Sequence, residues 1–288
     1  MVTKGFPSTV TDDQHFLSDK QLISRIVESA ALRSTDVVLE IGGGTGNISV
    51  EIMKRSGRLI IVEKDPELSV HLVNRFKGKS NVSVLPGNIL DVDIPPFNKI
   101  VANPPYAVLQ QFFVKLIKEG RQNFEQAVLV VPYAFEKKMT ATPDSDYFGV
   151  ISALFMAFYN VETIMQINKE SFSPPPRVTS ACVSVKPKDP ATSQFSKTQK
   201  LLQRLFLYDE KKVRNVIMQS LWNEGDQIIG IRLTKREAGA LADQILSGLS
   251  QQLAEKKVLE LTNEEFRDLT ITLLSWERET SNKSTSAN

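Results

Sequence analysis

Between Asp36 and Val131 the chain alternates short apolar runs with longer amphipathic stretches, and this alternation limits the choice of fold more than any other feature. Asp36-Val37-Val38-Leu39-Glu40-Ile41, Arg58 to Glu63, Val82 to Leu85, Lys99 to Ala102 and Gln126 to Val131 are too short for helices and rich in β-branched residues. Helical patterns fall between them over Gly46 to Ser56, Pro66 to Phe76 and Val108 to Lys118. The second of these opens on a proline, which suits a first helical turn. Strands apolar throughout and separated by helices predict a parallel sheet covered on both faces. Upstream, Ser18-Asp19-Lys20-Gln21 reads as a capping box for a helix that aligns Leu22, Ile23, Ile26, Val27 and Ala30.

The alternation then changes. After a helical stretch around Tyr147 to Phe158 come two strand-like runs, Val161 to Ile167 and Thr179 to Val185. The link Ser173-Pro174-Pro175-Pro176-Arg177 is too short for a helical crossover, so the two runs are expected as an antiparallel pair at a sheet edge. Beyond Lys186-Pro187-Lys188-Asp189-Pro190 only helical patterns remain: Gln194 to Leu207, Lys211 to Trp222, Lys235 to about Leu253, and Asn263 to Trp276, the last capped by Thr262 and Glu265. The expected architecture is an α/β domain over residues 1–187, a small all-helical C-terminal domain over 188–278, and a polar, disordered tail over 279–288.

Composition excludes several classes. With 41% hydrophobic and 24% charged residues the chain is ordinary for a globular protein, and no apolar run approaches a membrane span. The segment MVTKGFPSTV has no signal-peptide core. One cysteine, Cys182, makes no intramolecular disulfide and fits a buried thiol in a reducing cytoplasm. Two histidines, His15 and His71, argue against a zinc site. A net charge of +2 permits a nucleic-acid partner only through a local basic surface.

Two motifs carry chemistry. Glu40-Ile41-Gly42-Gly43-Gly44-Thr45-Gly46 joins the first strand to a helix, where glycine allows a sharp turn and close approach of a ligand to the main chain. A dinucleotide fingerprint needs glycine at position 47, where this chain has Asn47; the spacing Gly42-x-Gly44-x-Gly46 suits S-adenosylmethionine better. Glu63, at the end of the second strand, is placed to accept both ribose hydroxyls, and Asn88 after the third strand to meet an adenine edge. Asn103-Pro104-Pro105-Tyr106 closes the fourth strand. An adenine amine is a weak nucleophile because its lone pair is delocalised. The Asn103 amide oxygen and the Pro104 carbonyl could accept its hydrogens and aim that lone pair, while Tyr106 stacks on the flipped-out base.

Together with Gln14-His15-Phe16-Leu17 near the start and Phe172-Ser173-Pro174-Pro175-Pro176-Arg177-Val178 with Ser180 later, these motifs resemble the KsgA/Erm family of ribosomal RNA adenine N6-dimethyltransferases, closest to archaeal and eukaryotic KsgA-type members. Lys211-Lys212-Val213-Arg214-Asn215 and Val258 to Thr262 extend the likeness into the helical region, so that it covers about residues 14–276. The resemblance implies a Rossmann-like class I methyltransferase sheet and methyl transfer from S-adenosylmethionine to adenine N6 in small-subunit ribosomal RNA during ribosome assembly. It implies that Gln14, His15, Leu17, Gly42, Gly44, Glu63, Asn88 and Asn103 bind cofactor, and that Phe172 packs on the target base opposite Tyr106. Lys137, Lys138, Lys211, Lys212 and Arg214 are the candidates for RNA phosphates, and a monomer is expected.

The chain departs from the family pattern at several positions: Pro104 stands where leucine or isoleucine is usual, Asn88 where an acid is usual, Gly43 where proline is common, and Thr11, Asp12 and Asp13 where many relatives carry basic residues. Asn-Pro-Pro-Tyr also occurs in DNA adenine methylases and protein glutamine methylases. An N6-adenine methyltransferase of another RNA or of DNA, or a non-catalytic RNA-binding assembly factor, are therefore the alternatives.

Overall fold

The computed structural model describes residues 15–120, 124–188 and 195–285. In chain order its elements are β1 (Phe16–Leu17), α1 (Lys20–Ser29), β2 (Val37–Ile41), α2 (Asn47–Arg55), β3 (Arg58–Glu63), α3 (Pro66–Arg75), β4 (Val82–Pro86), β5 (Lys99–Ala102), α4 (Leu109–Lys118), β6 (Gln126–Pro132), α5 (Tyr133–Thr140), α6 (Val150–Phe158), β7 (Tyr159–Ile167), β8 (Phe172–Ser173) and β9 (Ser180–Pro187). The helices α7 (Lys197–Leu207), α8 (Val213–Ile228), α9 (Lys235–Leu246), α10 (Gln251–Glu255) and α11 (Asn263–Thr285) follow.

The main sheet has the order β4-β3-β2-β5-β6-β9-β7. Its first five strands are parallel, with Val38 opposite both Leu59 and Lys99, and Val101 opposite Val128. Strand β9 runs antiparallel to β6, with Leu129 opposite Val183, and lies between β6 and the edge strand β7. The two runs expected to pair at a sheet edge, β7 and β9, are neighbours at that edge. The chain moves outward from β2 through β3 to β4, then crosses back to place β5 on the other side of β2. The reversal of order between β2 and β5 is a topological switch point, where open α/β sheets bind ligands beyond the strand carboxyl ends.

Helices cover this sheet because their apolar stripes have nowhere else to go. Ile26 and Val27 of α1, Ile52 of α2 and Leu72 of α3 are fully buried in one cluster with Leu59, Ile61, Val101 and Val128 from the strands. Helix α1 is capped by Asp19 rather than Ser18: the Asp19 carboxylate accepts from the amides of Gln21 and Leu22 (2.9 and 3.1 Å). Ser18 instead donates its amide to the Ser171 carbonyl.

Two compact units emerge, one of the described residues up to Glu136 with Val161–Pro187, the other of Lys137–Asn160 with the described residues from Lys188 onward. Residues 137–160 therefore group with the helical unit and not with the domain to which the sequence assigned them. The reason lies in α6, VISALFMAF, which is apolar nearly all round and needs neighbours on several sides. It packs on α7 and α11, and the Val150 amide at its start donates to the Asn263 side-chain oxygen (3.1 Å). Within this unit Phe206 stacks on Phe266 at 5.3 Å and meets Phe158 edge-on at 6.1 Å. The helix expected from Lys235 to Leu253 is two, because Ser250 caps a new start by accepting from the Leu253 amide. Helix α11 continues through Thr285, into the segment expected to be a disordered tail; residues 286–288 lie outside the described residues.

Candidate active site

The glycine turn follows β2 with positive φ at Gly42, Gly44 and Gly46 (74°, 55° and 80°), a region that side-chain-bearing residues avoid. Gly43, where the family's proline is common, is required for a different reason: a Cβ there would lie 2.4 Å from Ile61 and 2.9 Å from Leu72. A Cβ on Gly42 would approach the Pro105 ring at 3.2 Å, so the turn after β2 and the Asn-Pro-Pro-Tyr turn after β5 touch across the switch point. At the end of β3, Glu63 is buried, and its two oxygens accept from the amides of Gly44 and Asp65, each at 2.9 Å. A carboxylate offers about four lone-pair directions, so each oxygen keeps capacity for a hydroxyl.

The N-terminal and late motifs, more than 150 residues apart in sequence, are adjacent strands. Strand β1 pairs antiparallel with β8, Phe16 opposite Ser173 and Leu17 opposite Phe172. The His15 ring nitrogen Nδ1 lies 3.0 Å from the Pro174 carbonyl. On its other edge β1 is held by side chains. The Asn103 amide donates to the His15 carbonyl (3.0 Å), and the Asn47 amide donates to the Leu17 carbonyl (2.9 Å). Between them the Phe16 ring closes on Gly44, where a Cβ would sit 2.8 Å from it. A carbonyl can only accept, so the nitrogen of Asn103 must face His15, and its oxygen is turned the other way.

Other predicted residues fare differently. Asn88 is partly committed: its side-chain oxygen accepts from the Leu90 amide (3.2 Å) in a local turn, which leaves the amide nitrogen as its available donor. Leu17 is buried, and the main-chain oxygens of both His15 and Leu17 already hold asparagine donors. Pro104 is buried and Pro105 exposed. Phe172 does not present its ring as a platform. It is 4% exposed, inside the apolar cluster with Leu17, Ile167 and Cys182, because β8 turns it inward opposite Leu17. Gln14 lies outside the described residues.

Among the basic candidates, Arg214 is held by Asp243 in a two-pronged pair (2.6 and 2.8 Å), Lys212 pairs with Glu255 (2.7 Å), and Lys211 donates to Gln219 while covering the Tyr208 ring at 4.8 Å. These three make contacts within the helical unit. Lys137 and Lys138 lie on α5, the latter exposed.

One residue escaped the sequence reading because it looked like strand core. Glu40, at 1% exposure on β2, carries a side-chain oxygen Oε2 with no hydrogen-bond partner among the described residues. Burial, with the nearby Glu63 charge adding to it, pushes the Glu40 carboxyl up to about 8. An apolar run that contains one acid immediately before a glycine turn is the signal that could have marked it. Glu40, Glu63, the glycine turn and Asn103 together offer acceptors for hydroxyls and an amine beside a backbone cradle, which fits a nucleoside-bearing cofactor.

The sheet order and its switch point define a Rossmann-like α/β fold. The fold is shared with the crystal structure of a dimethyladenosine transferase from Plasmodium falciparum (TM-score 0.60, 23% identity, 93% of this chain and 98% of that one). It is shared also with that of the 23S rRNA methyltransferase ErmE (TM-score 0.55, 23% identity, 90% and 99%). In sequence, a protein of Methanococcoides burtonii named ribosomal RNA small subunit methyltransferase A is 34% identical over 87% of this chain and 91% of its own. A protein of the same name from Thermococcus onnurineus is 34% identical over 89% of each. The profile of the ribosomal RNA adenine dimethylase family matches residues 8–247, and the chain belongs to that family.

Proposed function

We propose that this enzyme transfers methyl groups from S-adenosylmethionine to the N6 amine of adenine in small-subunit ribosomal RNA, two per base, during assembly of the subunit. The observation that carries this reading is the hydrogen bond from Asn103 to His15, which ties the amine-binding turn to the strand of the N-terminal family motif at the switch point. When bound, S-adenosylmethionine supplies an electrophilic methyl on a positively charged sulfur. The protein's part is to hold and aim. Glu63 takes the ribose hydroxyls with the oxygen capacity that Gly44 and Asp65 leave, the turn at Gly42 and Gly44 lets main chain approach the cofactor, and Asn88 donates to the adenine ring. Gln14, His15 and Leu17 are assigned to cofactor binding with them.

On the substrate side the Asn103 oxygen and the Pro104 carbonyl accept the two amine hydrogens, which turns the nitrogen lone pair toward the methyl donor. Stacking on the extruded base is assigned to Tyr106, whose side chain lies outside the described structure. Phe172 supports this from within the core by holding β8 against β1. Among the described residues no helix is long and apolar enough to cross a membrane, and we place the enzyme in the cytoplasm as a monomer acting on ribosomal RNA of the small-subunit precursor.

The test is to incubate the protein with methyl-labelled S-adenosylmethionine and small ribosomal subunits lacking the modification, beside naked ribosomal RNA and duplex DNA. Label is expected in small-subunit RNA as N6,N6-dimethyladenosine. Label in DNA alone, or cofactor binding with transfer to none of the three, would overturn the proposal.

A further inference from the structure

We infer that Asn47 is a positioning residue for methyl transfer: by holding the Leu17 carbonyl it fixes β1, and through β1 the orientation of Asn103. The inference rests on the methyltransferase reading of the site, and it assigns a task to the residue that breaks the dinucleotide fingerprint. A glycine at position 47, the third of that fingerprint, would let the helix pack closely on the strand. An asparagine there sends a side chain back across the turn instead.

His15 and the two residues of β1 are each gripped by a different part of the site. His15 gives its carbonyl to Asn103 (3.0 Å), Phe16 lays its ring on Gly44, and Leu17 gives its carbonyl to Asn47 (2.9 Å). A strand alternates its carbonyls from side to side, so His15 and Leu17 point toward the two asparagines, while Phe16 faces its partner Ser173 on β8. A two-residue strand has too few ladder bonds to define its own position. Its register over the glycine turn therefore depends on the side-chain anchors. Asn103 is one of them, but Asn103 must also present its oxygen to substrate. If β1 shifts, the carbonyl that orients the Asn103 amide shifts with it. Asn47 is the anchor whose amide makes this one side-chain hydrogen bond among the described residues: it is the first residue of α2, attached to a helix whose Ile48 and Ile52 are buried.

The position also supplies a clean control. The first turn of a helix favours a negative charge, so Asn47→Asp preserves or improves the start of α2, but its carboxylate can only accept and would face the Leu17 carbonyl oxygen. Asn47→Ala removes the anchor without that repulsion. The comparison uses full-length wild type, Asn47→Ala and Asn47→Asp, with methyl-labelled S-adenosylmethionine and unmodified small subunits. Three quantities are measured: kcat and KM, S-adenosylmethionine affinity, and amide hydrogen exchange at Phe16 and Ser18.

Both variants are expected to lose about tenfold in kcat, with Asn47→Asp the lower, while cofactor affinity changes by less than about threefold. Exchange at Phe16 and Ser18 should quicken, and the melting temperature of Asn47→Asp should match or exceed wild type. Wild-type kcat and exchange in Asn47→Asp would overturn the inference, and so would a loss confined to Asn47→Ala and matched by its stability, which would mark a helix-start role only. If wild type itself transfers no methyl group to the subunits, the proposed function fails, and the exchange rates alone then decide whether Asn47 anchors β1.

Discussion

Strand β2 carries a buried carboxyl group near each end, and the two are treated in opposite ways. Asp36, just before the strand, is fully buried and surrounded by donors: the Arg33 amide (2.8 Å), the Arg33 guanidinium (3.0 Å) and the Asn98 amide (2.8 Å). The network extends to Glu125, which accepts from Arg33 (2.7 Å) and lies before β6, so that it ties together the amino ends of β2, β5 and β6. Burial works to raise the Asp36 carboxyl, yet hydrogen bonds from Asn98 and Arg33 outweigh it and hold the group below the usual carboxylate range. Glu40, four residues on, is equally buried but has an oxygen unpartnered among the described residues, and its carboxyl is pushed up. The amino end of the sheet spends its polar groups on one another. The carboxyl end, with the glycine turn, Glu63 and Asn103, keeps polar capacity in reserve, as a site must whose partners arrive with the ligand.

Substitutions at the two ends should therefore separate activity from stability. The largest effect is expected for Asn103→Ala, which removes the acceptor for the substrate amine: transfer to small subunits should fall by about a thousandfold, the upper range for loss of one preorganised polar group. Cofactor affinity measured by calorimetry should stay within about tenfold, or about 1.4 kcal/mol. Unchanged turnover would show that the reserve at the carboxyl end is not used on the amine. Asp36→Ala should do the reverse. It strips a buried acceptor from Arg33 and Asn98, and should cost about 3 kcal/mol in denaturant unfolding with little change in activity per folded molecule. Because the folded carboxyl is depressed, the stability it contributes is present above its unfolded range and is lost as the pH falls through the folded value. The variant's deficit should accordingly shrink in acid; a deficit independent of pH would mean that packing, not charge, holds this end together.

The contrast between the ends was partly legible in the sequence. Long-range order came from strong local signals: apolar runs marked every strand of the parallel sheet, and glycine and proline marked the turns at its carboxyl ends. Glu63 and Asn103 could be placed because a strand end fixes where its last residue lies. What escaped were features that only a tertiary neighbour defines. The β1–β8 pair spans two residues on each strand, too short for any period to show. Asn47 looked like a missing glycine until Leu17 stood opposite. The pairing of Lys212 with Glu255 and of Arg214 with Asp243 joins residues distant in sequence, which no local pattern marks. Phe172 carried a motif role in the sequence and a core role in the fold. Glu40 was hidden within its strand, since burial and missing partners leave no mark on composition.

Glu40 gives the most discriminating comparison, because its pH response should oppose that of Asp36 although both lie along one strand. Its folded value of about 8 exceeds the ordinary 4.5, so between those limits the folded protein holds a proton that the unfolded chain releases. Stability of the cofactor-free protein then falls as the pH rises through this window and levels off above it. Glu40→Gln keeps the shape of the protonated acid and has no proton to lose. The variant should match wild type near pH 4 and gain on it by about 2 kcal/mol between pH 5 and 6.5, at about 1.36 kcal/mol per pH unit. The measurement is urea unfolding of both proteins at each pH, with Asp36→Ala run in parallel as the opposite case. A difference between Glu40→Gln and wild type that stays flat across the window would mean that Glu40 is ionised in the folded state. The carboxyl end of β2 would then be as fully satisfied as the amino end, and the reserve of polar capacity would belong to Glu63 and Asn103 alone.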